Sequence, residues 1–464
     1  MEREGNASNL TDEDIVKLET GGKKEIRKKI FQLAGPSLTE MILLNFVQML
    51  NMMMVGRVGA EAVTAVGLTN QPVFLVLAIF MALNVGTTAI IARAVGSRKY
   101  EEANQAAQQT FFINIVLSII MIIPTFIFAE EIMILMGAAP EVLEDGVLYA
   151  QIIFLSLGFI AVSMSLSAVL RGAGDTVTPM KINVFSNIIV VVIGFPLIYG
   201  YFGLPEMGVV GAAIATALAR ILSAVWVIYV LFSGKFIITL SLDQLFIYNK
   251  SMIRRIIRIG MPAAGEQLAL RSGQMIFARV VAGLGTVTFA ANQICFSILG
   301  LTFMPGMAFA VAATTLVGQG LGAKKPQLAE KFGWETRKIG MIVSGTLGIF
   351  FIVFAPYIMI LYTNDPSVIE QGAKALRIIG FVQVAQATQF ILSGALRGAG
   401  DTKFPLYATF IGVWGFRVAL CLLFVLVLDW GIVGAWLAIA VDQIVRSFII
   451  YARFKNGKWK SLKV

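Results

Sequence analysis

Leu170-Arg171-Gly172-Ala173-Gly174-Asp175-Thr176 returns unchanged, 226 residues later, as Leu396-Arg397-Gly398-Ala399-Gly400-Asp401-Thr402. Each copy reads as a tight turn between helices, with glycine for positive φ and Asp to cap the helix that follows. A short turn can recur by accident, but an offset shared along the chain does not. The same spacing carries Pro36 onto Pro262, Glu40 onto Glu266, Gln48 onto Gln274, Gly59 onto Gly285, and Gly96-Ser97-Arg98-Lys99 onto Gly322-Ala323-Lys324-Lys325. Near the end the offset slips to 223, pairing Gly208-Val209-Val210-Gly211-Ala212 with Gly431-Ile432-Val433-Gly434-Ala435. The chain is a tandem duplication of one unit about half its length.

Composition identifies the solvent. The 464 residues are 58% hydrophobic and only 14% charged, with mean hydropathy +0.82. Soluble domains carry about 25% charged residues, so the chain is expected to be an all-α polytopic membrane protein. The first 25 residues are polar and lack an apolar h-region, so no cleaved signal is expected. Cys295 and Cys421 fall in apolar runs and read as buried inert thiols. There is no His, which removes the commonest metal ligand and leaves any proton chemistry to carboxylates. No cofactor or resident metal is expected.

Twelve spans are predicted, at 30–55, 72–92, 110–135, 148–170, 181–202 and 208–232 in the first half, then 256–283, 293–317, 338–362, 374–396, 404–428 and 431–452. Each crosses about 30 Å of hydrocarbon. The charges alternate with them. Loops after even spans are basic, as at Arg93, Arg98 and Lys99 or Lys324, Lys325 and Lys331, and the C-terminal tail carries Lys455, Lys458, Lys460 and Lys463. Loops after odd spans are neutral or acidic, as at Glu130, Glu131, Glu141 and Glu144, except loop one, which carries both Arg57 and Glu61. This pattern puts both termini in the cytoplasm and accounts for the +10 net charge without nucleic acid. Six spans per repeat is even, so both repeats insert the same way up. Two six-helix lobes related by a pseudo-two-fold axis along the membrane normal are expected, a transporter architecture with the substrate path between the halves. The expected division is a cytoplasmic tail over 1–25, a first lobe over 26–232, a linker over 233–255, a second lobe over 256–453 and a tail over 454–464.

The chain has no Walker A pattern, no Cys/His or Ser/His/Asp arrangement and no paired catalytic carboxylates, so an enzyme is not expected. Ionisable groups inside spans are the informative residues, since each costs on the order of 3 kcal/mol at a helix centre. Glu40 and Glu266 lie one turn after Pro36 and Pro262. Counted from the basic collars before the two spans, both fall near the midplane, roughly 16 Å in. Each reads as a protonation or cation site, or as a buried acid that holds packing. Asp442 is a third candidate, with Arg446 one turn on. Amides expected to face a cavity or another helix are Asn51, Asn84, Asn183, Asn187, Gln274, Gln383, Gln386 and Gln389.

The chain resembles the multidrug and toxic compound extrusion (MATE) transporters. The matching stretches are Met54-Val55-Gly56-Arg57-Val58-Gly59 with Ala65-Val66-Gly67, the two repeated turns, Pro205-Glu206-Met207-Gly208-Val209-Val210-Gly211-Ala212-Ala213, and Ala313-Thr314-Thr315-Leu316-Val317-Gly318-Gln319. The resemblance implies alternating access and export of organic cations against an inward H+ or Na+ gradient, by a monomer in the inner (plasma) membrane. Three departures stand out. Asn51 occupies a position where some members have Asp, and Asn183 and Asn187 stand where those members have an Asn–Asp pair. Glu266 comes about one turn earlier than the glutamate of another branch. Gln383, Gln386 and Gln389 occupy the span in which that branch has Asp. On this reading Glu266, Glu40 and Asp442 are the ion-coupling candidates, and Gln48, Asn51, Asn183, Asn187, Gln274, Arg279 and Gln383 are the substrate-binding candidates. The alternative within the same superfamily is a flippase for lipid-linked anionic substrates, which the embedded arginines fit.

Overall fold

A computed structural model describes residues 17–18, 22–241, 243 and 247–462. The expected tail over 1–25 lies outside the described residues apart from 17, 18 and 22–25, as does Lys463. Twelve long helices follow in chain order: α1 (Gly22–Gly56), α2 (Ala60–Gly96), α3 (Tyr100–Ile127), α4 (Pro140–Ala173), α5 (Val177–Tyr199), α6 (Gly208–Phe232), α7 (Lys250–Ala282), α8 (Thr286–Gly322), α9 (Pro326–Ile360), α10 (Pro366–Gly398), α11 (Lys403–Val427) and α12 (Gly431–Asn456). No strand occurs among the described residues. Eleven of these helices are long and apolar enough to cross a membrane. The twelfth, α7, carries Arg254, Arg255, Arg258, Glu266, Arg271 and Arg279 along its length.

Most helices start earlier than the sequence expectation, by the widest margins at α2, α3 (Tyr100 against 110) and α9 (Pro326 against 338). Helix α2 starts at Ala60, not near residue 72, and runs through Pro72. Helix α1 is already formed at Gly22. A proline inside a buried helix is tolerated where neighbouring groups satisfy the freed carbonyl, so it does not mark an end here. Helix α11 contains two π-helical segments, Ile411–Val418 and Leu423–Val427.

The chain forms two compact units. Among the described residues, the first comprises 39–95, 99–241, 243 and 247–260, and the second comprises 17–18, 22–38, 96–98 and 261–462. Helix α1 is thus divided just after Pro36 and α7 just before Pro262. In the second unit the leading part of α1 buries Ile30, Leu33 and Ala34 in a core with Phe309, Leu316 and Ile391. Arg27 Nε bonds Glu335 there at 3.2 Å, and Phe31 meets the Phe309 ring edge-on. In the first unit the leading part of α7 packs against α2 so closely that Gly86 and Gly260 have no room for a Cβ. Arg255 pairs with Glu102 there.

The repeated turn shows why its residues recur. Leu170 and Leu396 are buried. Gly172 and Gly398 let α4 and α10 approach the backbone of α2 at Thr88 and of α8 at Thr314. Those two threonines donate across the same crossings, to Ala168 O at 3.2 Å and Gly394 O at 2.8 Å. Gly174 and Gly400 take φ of +97° and +83°, the left-handed conformation that other residues enter at a cost of roughly 1–2 kcal/mol. Asp175 accepts from the backbone N–H of Val177 and of Thr178, both at 3.0 Å, and so caps α5. Asp401 instead bonds Arg453 of α12 at 2.8 Å. The turn was expected to use glycine for positive φ, and Gly174 and Gly400 do so. Its other glycine is a packing contact.

Overpacking a close helix crossing typically costs about 1–3 kcal/mol. Gly398→Val is therefore expected to lower the thermal unfolding midpoint in detergent by several degrees. Gly300→Ala, at a glycine with nothing near its would-be Cβ, should leave it unchanged. Equal midpoints for the two variants would contradict the packing role.

Candidate functional site

Each unit holds a buried glutamate bonded by the arginine of its own repeated turn. In the first, Arg171 Nη1 donates to Glu40 Oε1 at 3.4 Å and Asn183 Nδ2 donates to the same oxygen at 2.8 Å. In the second, Arg397 Nη2 donates to Glu266 Oε2 at 2.7 Å and Thr409 Oγ1 donates to Glu266 Oε1 at 3.4 Å. The sequence separations agree in both repeats, 131 residues from glutamate to arginine and 143 to the third member. Glu40 and Glu266 retain 8% and 3% of their exposure.

Both glutamates lie near the repeated turns along the helix axes. Arg171 is two residues before the end of α4, and Asn183 is six residues into α5. At 1.5 Å per residue this puts the Glu40 cluster within about 9 Å of the turn along the helix axes. Arg397 is one residue before the end of α10, and Thr409 is six residues into α11.

Sequence reading chose Glu40, Glu266 and Asn183 but missed Arg171, Arg397 and Thr409 as their partners. The signal was present. Arg171 and Arg397 are the cations of a motif that recurs at the offset joining the two glutamates.

The first unit extends its polar cluster along the α1–α5 seam. The helices run parallel there, pinned by Glu40–Asn183 at one level and by Tyr199 Oη donating to Met54 O at 2.8 Å further along. Asn187 and Asn51 fall between these levels. Asn187 Nδ2 and Asn51 Oδ1 are buried and lack a protein partner. A donor and an acceptor therefore remain for a water, a proton carrier or a ligand. A second polar knot binds α2, α3 and α4, where Ser165 Oγ bonds Asn84 Oδ1 at 2.6 Å and Asn114 Oδ1 at 2.8 Å.

In the second unit the counterparts of Asn51 and Asn187 are Phe277 and Val413, and unmatched buried amides lie instead on α10, at Gln383, Gln386 and Gln389. This unit also carries a buried ionic cluster. Asp442, with no exposure, accepts from Arg417 Nε at 2.9 Å and Arg446 Nη2 at 2.9 Å. Arg417 sits in the first π-helical segment of α11. Gly412 of the same segment has no room for a Cβ beside Asp442 and Arg446. One carboxylate set between two guanidiniums leaves the cluster with an excess positive charge. At the slipped offset of 223 the first-repeat counterpart of Asp442 is Ala219, so the cluster belongs to the second repeat alone.

The remaining candidates are scattered. Gln48, Gln274 and Arg279 are exposed. Gln383 is buried between α8 and α10 and donates to Thr302 Oγ1 at 3.3 Å. Gln386 beside it is buried with neither amide atom bonded. Among the described residues, no three His, Cys, Asp or Glu side chains gather as a metal site would require.

The MatE family matches twice, over residues 36–196 and 262–423. The two matches start at Pro36 and Pro262, at the offset of the internal repeat. A "Probable multidrug resistance protein NorM" of Thermotoga maritima is 32% identical over 445 residues, covering 95% of this chain and 94% of its own length. The "Uncharacterized transporter YisQ" of Bacillus subtilis is 28% identical over 93% of this chain and 94% of its own. Among solved structures, an outward-facing multidrug resistance MATE family transporter of the MOP superfamily superposes with a TM-score of 0.86 at 24% identity, covering 93% of this chain and 97% of that one. A MOP superfamily transporter from Pyrococcus furiosus, described as having a binding pocket of reverse polarity that suggests a different function, gives 0.86 at 25% identity, covering 95% and 97%. A duplicated helical membrane chain, matched in both halves by one family and over nearly its whole length by named transporters, is a member of the MatE family of MATE membrane transporters.

Proposed function

We propose that this transporter exports amphipathic organic cations in exchange for inward H+ or Na+, acting as a monomer in the plasma membrane with both termini cytoplasmic. The carrying observation is the mirrored glutamate–arginine cluster. A buried carboxylate bonded to a guanidinium holds two helices together through charge. Adding a proton to Glu266, or placing Na+ against it, neutralises the charge that binds Arg397. Ion arrival in this reading loosens the α7–α10 contact, and ion release restores it. Each ion state then favours one of two arrangements, the requirement for coupling to alternating access. Arg397 and Arg171 are positioning residues that act as exchangeable internal counter-ions.

The two clusters differ in what they could accept. Thr409 offers hydroxyl oxygen lone pairs beside Glu266, so the second cluster suits H+ or Na+, which takes oxygen ligands. Asn183 presents its NH2 group to Glu40, so the first cluster suits H+ alone. Glu266 is the foremost coupling residue in this scheme and Glu40 the second. Asp442, already set between two guanidiniums, serves chiefly as a lock on α11 and α12. Asn51 and Asn187 supply a polar pocket in the first lobe, with Asn183 at its edge. Gln48, Gln274 and Arg279 contribute from exposed faces and Gln383 from within the second lobe.

A second reading draws on the excess positive charge around Asp442 and on the Pyrococcus relative of reverse binding-pocket polarity. It assigns a lipid-linked anionic substrate, moved by flipping.

Ethidium efflux from everted vesicles under separately imposed H+ and Na+ gradients distinguishes these. Wild type should respond to one of the two gradients. Glu266→Gln should lose most of that response, about ten-fold or more, the equivalent of about 1.4 kcal/mol. A Glu266→Gln protein that pumps as fast as wild type removes the residue from coupling, and absence of ethidium transport under either gradient favours the anionic reading.

The pair itself is measurable apart from transport. Breaking a fully buried ion pair costs about 3–5 kcal/mol, with less expected here because the Arg397 side chain is 22% exposed. Glu266→Gln and Arg397→Gln should each destabilise the protein in detergent, and the double variant should lose less than the sum. Strict additivity would mean that the two residues do not interact.

A further inference from the structure

In the second unit, a cleft of about 240 Å³ opens between α9, α10 and α12, with Arg337, Thr388, Ile444, Ser447, Phe448 and Tyr451 among its walls. Arg337 Nε donates to Thr388 Oγ1 at 3.1 Å. Its guanidinium lies 4.9 Å from the centre of the Tyr451 ring and 5.6 Å from that of Trp334. These neighbours orient the cation without neutralising it. The acids nearby are engaged elsewhere. Glu335 bonds Arg27 and Lys338, Glu330 bonds Lys460, Asp401 bonds Arg453, and Asp442 bonds Arg417 and Arg446. Among the described residues no carboxylate pairs with Arg337.

An arginine without a counter-charge in a membrane-spanning helix is costly, and such residues take a partner or reach the interface. Here the far side of the cleft is apolar, since Ile444 and Phe448 are 52% and 71% exposed. A cation at one end of an apolar lane, flanked by Trp and Tyr as at a membrane interface, matches a phospholipid by charge and by polarity. A free anion would gain nothing from Ile444 and Phe448. We propose that this cleft holds one anionic phospholipid, its phosphate on Arg337 beside Ser447 and one acyl chain along Ile444 and Phe448. Basic pockets between transmembrane helices take anionic headgroups in this way. The site stands apart from the glutamate clusters and does not rest on the transport reading.

Native mass spectrometry of the full-length protein in detergent tests it, with phosphatidylglycerol, chain-matched phosphatidylcholine and inorganic phosphate as separate probes. Wild type should retain phosphatidylglycerol over phosphatidylcholine by about five-fold, the equivalent of one basic residue at a lipid surface. Arg337→Gln should abolish that preference. Ser447→Phe, which fills the cleft and keeps the arginine, should also abolish it, so the test does not depend on one variant folding well. Lys374→Gln, at an exposed surface pair with Glu370, should keep the preference. Undiminished phosphatidylglycerol retention in both Arg337→Gln and Ser447→Phe would overturn the proposal. So would an Arg337-dependent phosphate adduct formed as readily as the lipid adduct, which would make the cleft a simple anion site.

Discussion

A carboxylate buried among helices must find a donor or cation near enough to bond it, because leaving it unmatched costs several kcal/mol, on the order of a whole domain's stability margin. The two repeats meet this demand in the same way. Glu40 and Glu266 each receive the arginine that opens a repeated turn. The rest of that turn can be understood as what brings the arginine there. Gly172 and Gly398 bring α4 and α10 against their neighbours, and Gly174 and Gly400 reverse the chain. The buried Leu170 and Leu396 anchor the preceding helix. The leucine, the arginine and the two glycines recur with the same spatial task in both repeats, whereas the aspartate keeps its identity with different partners, the start of α5 and Arg453.

The repeats then diverge, and the divergence is where specificity can arise. The first lines its α1–α5 seam with amides, leaving Asn187 Nδ2 and Asn51 Oδ1 unmatched inside. The second has Phe277 and Val413 at those positions, sets Asp442 between Arg417 and Arg446 and threads α11 through a π-helical segment beside them. A duplicated scaffold with unequal polar interiors offers two chemically distinct lobes on one frame. A π-helical segment inside an α-helix is frequently a functional feature, and this one carries Arg417.

The hydrophobic pattern and the internal offset made the helix count and the duplication legible. So was the equivalence of Glu40 and Glu266, since each follows its proline by one turn. The partners were not legible, because Arg171 and Arg397 sit in a segment whose glycines dominate any local reading and because 131 residues separate acid from base. Helix starts were misplaced, at α1 and α2 as at α3 and α9, for a physical reason. Hydropathy marks where a helix meets lipid, whereas residues 22–29 and 60–71 are helical without being uniformly apolar. Nor does periodicity reveal that the leading part of α1 buries Ile30 and Leu33 among second-repeat side chains. That is a tertiary contact, invisible to any window along the chain.

The account depends on one module being inserted twice in the same direction. Lys181 and Lys403 are exposed just beyond the first and second turns. With Cys295 and Cys421 replaced by alanine, Lys181→Cys and Lys403→Cys can each be probed with a membrane-impermeant maleimide in right-side-out and everted vesicles. Both positions should label in everted vesicles and stay silent in right-side-out ones. Labelling of the two from opposite sides would contradict the parallel duplication and the mirrored ion pairs built upon it.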